Sequence, residues 1–116
     1  MNRICFVLPL LPGQADELRA FYRDVEGDRR AGYEATERRL GVTLEAVFVH
    51  GDDAIMYWES ERDWLEVLRT LADSDDEFDV WFKEGLLEMS GLDFSKPPET
   101  QPESIQAELL SIYDVR

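Results

Sequence analysis

One segment constrains the fold more than any other, residues 43–60 with the sequence TLEAVFVHGDDAIMYWES. Apolar, β-prone residues flank a Gly-Asp dipeptide, and a two-residue turn with glycine first is typical of a β-hairpin. With that turn, Phe48 lies opposite Ile55 on one face of the hairpin, and Val47 lies opposite Met56 on the other. Both faces are therefore largely apolar, whereas a sheet with one solvated face alternates more cleanly. The segment predicts a sheet that is covered on both faces.

The rest of the chain predicts one more strand and several helices around this hairpin. Arg3 to Leu10 form an apolar, β-prone run that ends at prolines and is predicted to be the first strand. Apolar residues at helical spacing predict one long helix from about Gln14 to Leu40, with a kink or a close approach at its glycines. Serine followed three residues later by an acid marks the start of two further helices, near Ser60 and Ser74.

The C-terminal part completes the predicted topology. Residues 92–104 are rich in proline and polar residues and are predicted to be a linker to a last strand; for residues 105–116 a helix is the alternative. The order β-α-β-β-α-α-β is an α+β, ferredoxin-like arrangement whose antiparallel sheet has helices on one face. Since its second face is also apolar, two such sheets are expected to pair as a dimeric α+β barrel. Residues 1–116 then form one domain of a homodimer.

The same features resemble a known superfamily. The LPG turn into the long first helix and the hairpin LEAVFVHGDDAIMYWES resemble the dimeric α+β barrel proteins, over roughly residues 3–98. Within them, SDDEFDVWF followed by GLDFSKPP resembles an uncharacterised family of small bacterial and archaeal proteins. The superfamily includes rhamnose mutarotases, antibiotic-biosynthesis monooxygenases, polyketide cyclases and haem-degrading enzymes, so the resemblance implies a fold and a ligand between sheet and helices. The histidine that mutarotases carry on their first helix is absent, which argues against that activity.

The charge composition of the chain limits the kinds of molecule that it is expected to bind. The chain has 26 acidic and 12 basic residues and a net charge of -14, so it is expected to repel nucleic-acid phosphates and anionic membranes. Two explanations of this charge stay open, a high-salt or arginine-rich cellular background and mimicry of a nucleic acid towards another protein. No apolar run reaches the roughly 18 residues of a membrane span, and the N-terminus reads as a strand, so a cytoplasmic protein is expected.

Sequence motifs for cofactors and metals are missing. Cys5 is the one cysteine, which excludes a disulfide within the chain and zinc sites built on cysteine pairs; it is interpreted as a buried structural thiol. There is no glycine-rich phosphate loop and no Ser-His-Asp set. We therefore expect neither a cofactor nor a metal, and any enzymatic chemistry is expected to need neither.

The candidate catalytic residues lie in the hairpin. Glu45 stands in an apolar run on the same face as Trp58, so burial is expected to raise its pKa and to suit it for acid or base chemistry. The alternative is an ion pair with an arginine, such as Arg3, or across a dimer interface. His50 stands at the turn opposite Asp53, where a catalytic dyad and an ordinary solvated pair are the two interpretations.

The candidate ligand-binding residues are Arg29, Tyr33, Tyr57, Trp58 and Trp81. Arg29 suits a substrate carboxylate or carbonyl, and its alternative is a side chain that reaches solvent; the aromatic residues line either a pocket or only the core. These candidate residues are compatible with two alternative functions. The first is a small-molecule-binding protein, as a cofactor-independent enzyme acting on an aromatic or polyketide-like molecule. The second is a non-catalytic dimeric interaction or ligand-sensing module. An open pocket beside Arg29 and Tyr33 favours the first, and a pocket filled by side chains favours the second.

Overall fold

Three strands and four helices make up an α+β fold in the computed structural model, which describes all 116 residues. The elements in chain order are β1 (Asn2–Pro9), α1 (Ala15–Glu26), α2 (Arg30–Leu40), β2 (Val42–His50), β3 (Asp53–Ser60), α3 (Trp64–Asp73) and α4 (Glu77–Ser90). The three strands form one antiparallel sheet in the order β1-β3-β2. No helix is both long and apolar enough to cross a bilayer.

The hairpin has the register that its sequence predicts. Phe48 pairs with Ile55 and Val47 with Met56, while Gly51 holds a φ of 59° in the turn. That positive φ is a conformation that glycine adopts without the steric cost that a Cβ imposes. The side chains of Val47 and Met56 therefore face the helices, and those of Phe48 and Ile55 face away from them.

The two faces of the sheet have different neighbours. On the inner face, buried residues such as Leu8 and Met56 form one apolar core with the helices. The outer face is covered by no helix, and Phe48 there keeps 59% of its surface exposed. Cys5, expected to be buried, is only half-buried on this face. An exposed apolar sheet face is what the predicted homodimer needs, and the dimer itself stays a prediction.

The predicted long helix is wrong in one respect, since it is two helices. A turn at residues 27–29 separates α1 from α2. In it, the N–H groups of Gly27 and Arg29 both donate to the carbonyl of Asp24, at 3.1 and 2.8 Å. The kink expected at the glycines is thus located at Gly27. The second glycine, Gly32, is a close approach: a Cβ there would lie 3.2 Å from the Phe78 ring of α4.

The predicted last strand is reduced to a single bridge. Gln106 pairs with Phe6 at the free edge of β1, and the N–H of Ala107 donates to the carbonyl of Cys5 at 2.8 Å. This is where a fourth ferredoxin-like strand belongs. Residues 107–116 form neither strand nor helix, because they bury nothing: Tyr113 is 88% exposed. The linker also contains two single-turn 3-10 helices, Pro98–Thr100 and Glu103–Ile105.

Candidate functional site

Four side chains meet between α2 and the hairpin, and we call them the carboxyl cluster: Tyr33, Glu37, Glu45 and Trp58. Tyr33 and Glu37 are four residues apart on α2, which places both on the helix face towards the sheet. Glu45 and Trp58 are cross-strand partners on the inner face of the hairpin. Local periodicity thus aligns each pair, and the packing of α2 on the hairpin brings the two carboxyl groups and two aromatic side chains together.

Glu45 has few partners for a buried acid. The Tyr33 hydroxyl donates to its Oε1 at 2.7 Å, while its Oε2 is buried without a hydrogen-bond partner. The Nε1 of Trp58 is also buried without a partner. Arg3, the expected alternative partner, instead pairs with Glu59 on the outer face at 3.2 Å. Within the chain, Glu45 is thus a desolvated carboxyl group and not half of an ion pair.

Burial sets the protonation of the cluster. Burial raises the pKa of Glu45, and its polar contacts with Tyr33, Glu37 and Trp58 partly oppose that rise. Burial and the adjacent Glu45 raise the pKa of Glu37 to about 9. The same two causes raise the pKa of Tyr33, so its phenol stays a hydrogen-bond donor. Because the pKa of both adjacent carboxyl groups is raised, the pair retains a proton at neutral pH, as an acid and a base in one site require.

Space inside the cluster is small, but a groove opens nearby. The cavity has a volume of about 10 Å³, close to the minimum for one water molecule. Its other walls are Thr36, Leu40, Leu71, Phe78 and Phe82. A groove of about 160 Å³ lies between α1 and β2, lined by Leu18, Arg19, Tyr22, Val47 and Val49. The Tyr22 hydroxyl is buried without a partner, and burial and then Glu45 raise its pKa, so this residue adjoins both the groove and the cluster.

Two of the predicted ligand-binding residues lie elsewhere. The Arg29 guanidinium carbon sits 4.3 Å from the ring centroid of Trp81, and its Nη1 contacts Glu77 Oε1 at 2.5 Å. Trp81 in turn stacks on Phe21, with ring centroids 4.4 Å apart. These contacts join α4 to α1 and to the start of α2. Neither Arg29 nor Trp81 lines the cavity beside Tyr33, so the structure has no open pocket shared by Arg29 and Tyr33, the feature that would favour the small-molecule-binding function.

The other two predicted residues face away from the cluster. Tyr57 lies on the outer face, where its hydroxyl donates to Glu59 Oε2 at 2.7 Å. His50 is exposed next to the turn and forms no ion pair with Asp53. Because alternate residues of β2 point to opposite faces, His50 and Glu45 do not share a site. Of the seven predicted residues, the structure brings together Tyr33, Glu45 and Trp58.

Glu37 is the one residue of the carboxyl cluster that the sequence analysis did not predict. Its signal was present, since it follows Tyr33 by four residues and adjoins the inward Thr36 and Leu40 on the same turn of α2. A search for apolar residues at helical spacing passes over an acid at such a position. No group of three or more histidine, cysteine or acidic side chains is placed to hold a metal ion.

Comparison with known proteins extends the fold assignment. The sequence matches no protein-family model and no curated protein. The structure resembles an L-rhamnose mutarotase from Formosa agariphila, with a TM-score of 0.65 and 15% identity over 98% of this chain and 100% of that one. It also resembles tetracenomycin F2 cyclase from Streptomyces glaucescens, a type-II polyketide cyclase, with a TM-score of 0.59 and 17% identity over 100% of both chains. These matches confirm the predicted ferredoxin-like α+β fold, and at such identities they show the fold alone.

Proposed function

We propose that the protein binds a small aromatic or polyketide-like molecule between its sheet and helices and transfers a proton on it without a cofactor. The observation that carries this proposal is the buried Oε2 of Glu45, which has no hydrogen-bond partner and lies beside a second carboxyl group, Glu37, whose pKa is raised to about 9. Two adjacent carboxyl groups of unequal protonation supply a base and an acid in one site. The two structural neighbours are named as a sugar mutarotase and a polyketide cyclase, which adds support for a small organic substrate.

Each residue of the cluster has a role in this proposal. The hydrogen bond from Tyr33 fixes Oε1 of Glu45, so Oε2 is the oxygen that accepts the proton. Glu37 returns a proton to the substrate, and the unpaired hydroxyl of Tyr22 donates to a substrate oxygen. The apolar wall of the groove, which includes Val47, holds the body of the molecule. Because the inner cavity is no larger than one water, a wall side chain must move when the reacting atom enters.

The proposal is tested by titration and by one conservative substitution. NMR titration of the side-chain carboxyl groups should place the pKa of Glu45 above the ordinary value of a glutamate, because the group is desolvated. A fragment screen of hydroxylated aromatic molecules should shift the NMR signals of Tyr22 and Tyr33. Glu45→Gln keeps the shape of the side chain and should abolish turnover of any substrate so found, while the control Glu84→Gln, at an exposed position of α4, should not. An ordinary or lowered pKa for Glu45 would remove the base from the proposal.

The second candidate function is a non-catalytic dimeric interaction or ligand-sensing module. It is favoured by the filled state of the inner cavity, about 10 Å³, and by the exposed apolar residues Leu44 and Phe48 on the outer face. A fragment that binds in the groove but is recovered unchanged, with the same affinity for Glu45→Gln, would support this function over the enzymatic one. Loss of binding together with loss of chemistry would support the first.

A further inference from the structure

The largest cavity of the protein lies at the opposite edge of the sheet from the carboxyl cluster. It has a volume of about 310 Å³ and lies between β1, α3 and residues 98–106; we call it the β1-edge cleft. Its apolar floor and walls are formed by Ile4, Phe6, Trp64, Leu68, Phe94 and Ile105. Its volume is at the lower end of the roughly 300–1,000 Å³ that is usual for small-molecule sites.

The C-terminal segment builds one wall of this cleft. After the single bridge between Gln106 and Phe6 the chain does not continue as a strand, so the rest of the outer edge of β1 is left without a strand partner. Three interactions fix this wall to the rest of the fold. Gln101 Nε2 donates to the carbonyl of Asp93 at 2.8 Å, Glu99 forms an ion pair with Arg69, and Ala107 bonds to β1. The cleft is therefore a built feature of the fold and not a gap under a loose tail.

The polar groups of the cleft have a consistent chemistry. Asp63, Glu99 and Glu103 line it, and no basic side chain does. Arg69 neutralises Glu99, which leaves two carboxylates without a cationic partner at the rim. Trp64 is 9% exposed, and its indole Nε1 is a buried donor without an acceptor. An unpaired buried donor has lost its hydration without replacement, so an acceptor supplied by a ligand is favourable there.

We propose that the β1-edge cleft binds an organic ammonium ion that carries an aromatic body and a carbonyl oxygen, as an aromatic amino acid amide does. The ammonium group is held by the rim carboxylates and by the faces of the aromatic rings, which attract cations. The aromatic body packs against Phe6 and Phe94, and the indole of Trp64, whose Nε1 is buried in the free chain, turns towards the cleft to donate to the carbonyl. Organic anions are excluded, because the rim carboxylates repel them.

The probe for this proposal is phenylalaninamide, with two comparison compounds that each lack one feature. Hydrocinnamamide lacks the ammonium group, and phenethylamine lacks the carbonyl. Calorimetric titration should rank phenylalaninamide first, and the indole N–H signal of Trp64 should shift in NMR only with the two amides. Binding should weaken as sodium chloride is added, because screening acts on the rim carboxylates. Equal affinity for phenylalaninamide and hydrocinnamamide would overturn the charge argument, and no binding of phenylalaninamide at millimolar concentration would overturn the proposal.

Two variants test the residues separately. Glu103→Gln, at an exposed rim position, should weaken phenylalaninamide binding about five-fold, whereas Glu108→Gln, an exposed acid outside the cleft, should leave it unchanged. Trp64→Phe keeps an aromatic floor and removes the donor, so it should weaken phenylalaninamide and spare phenethylamine. If Trp64→Phe does not fold, Glu103→Gln decides alone, and an unchanged affinity there refutes the site. Glu45→Gln should not alter this binding, which separates the cleft from the proposed proton-transfer site.

Discussion

Replacing Lys83 by methionine should destabilise the fold strongly, because its ammonium group is an internal cap for α3. Lys83 is 6% exposed, and its Nζ donates to the carbonyls of Leu71, Ala72 and Ser74 at 2.7, 3.0 and 2.9 Å. The last carbonyls of a helix have no partner within the helix. One side chain on α4 thus satisfies three acceptors at the end of α3 and joins the two helices.

The expected loss is about 2–4 kcal/mol in the free energy of unfolding. A hydrogen bond to a charged group contributes about 1.5–3 kcal/mol, so three contribute roughly 5–9 kcal/mol. Against this, burying an ammonium ion costs several kcal/mol, and that cost disappears with the charge. The pKa of Lys83 is lowered chiefly by burial, which shows that this cost is present. Methionine keeps most of the aliphatic packing, so little is lost from the core.

Urea unfolding followed by circular dichroism measures the difference, and the chain supplies a matched control. Lys96 is exposed after α4 and forms no ion pair, so Lys96→Met should change stability by less than about 0.5 kcal/mol. Both variants lower the positive charge by one, so any effect of net charge is the same in the two. If the free energy of unfolding of Lys83→Met also lies within about 0.5 kcal/mol of that of the unmodified protein, water satisfies the three carbonyls in place of the ammonium group. That result would refute the capping argument.

Two further predictions concern assembly and pH. Phe48→Glu should convert a dimer into a monomer in sedimentation experiments, because it places a charge at an apolar position of the outer face that is 59% exposed in the single chain. An unmodified protein that is already monomeric at about ten micromolar contradicts the barrel assembly. The pKa of Glu37 rises from 4.5 to about 9 on folding, so the folded state binds more protons between these values and stability should fall as pH rises through them. Glu37→Gln should flatten that slope, and an unchanged slope would place the proton elsewhere.

The hairpin was predictable from the sequence because its structure depends on residues that are close together in the chain. Side chains alternate with period two, and the position of the turn glycine fixes which residues pair, so the opposition of Glu45 and Trp58 followed without tertiary information. The sequence predicted a kink or a close approach at the glycines of this region, but it did not predict that the helix ends at Gly27. A glycine marks where a helix tolerates a bend, but the packing of both helices on the sheet decides whether the helix actually ends there.

Other features depended on contacts that the sequence does not show. Arg29 stands at helical spacing with inward residues, yet the ring of Trp81 and the carboxylate of Glu77 hold it at the surface. The C-terminal residues, among them Ile112 and Tyr113, have high β-propensity, but propensity in strands reflects packing against neighbours. Within one chain these residues meet no such neighbour, so no strand forms.

Two buried carboxyl groups show how the same fold treats a structural acid and a candidate functional one. Asp79 is fully buried, but Thr36 Oγ1 donates to it at 2.7 Å, Ser74 Oγ donates at 2.6 Å and Arg39 forms an ion pair with it. Glu45 has one donor, one bare oxygen and a second acid beside it. Removing the charge should therefore have opposite effects at pH 8. Asp79→Asn should lower the free energy of unfolding by about 1–3 kcal/mol, since its donors lose their acceptor, whereas Glu45→Gln should raise it. Equal losses in the two variants would make Glu45 a structural acid like Asp79 and would leave the proposed base without physical support.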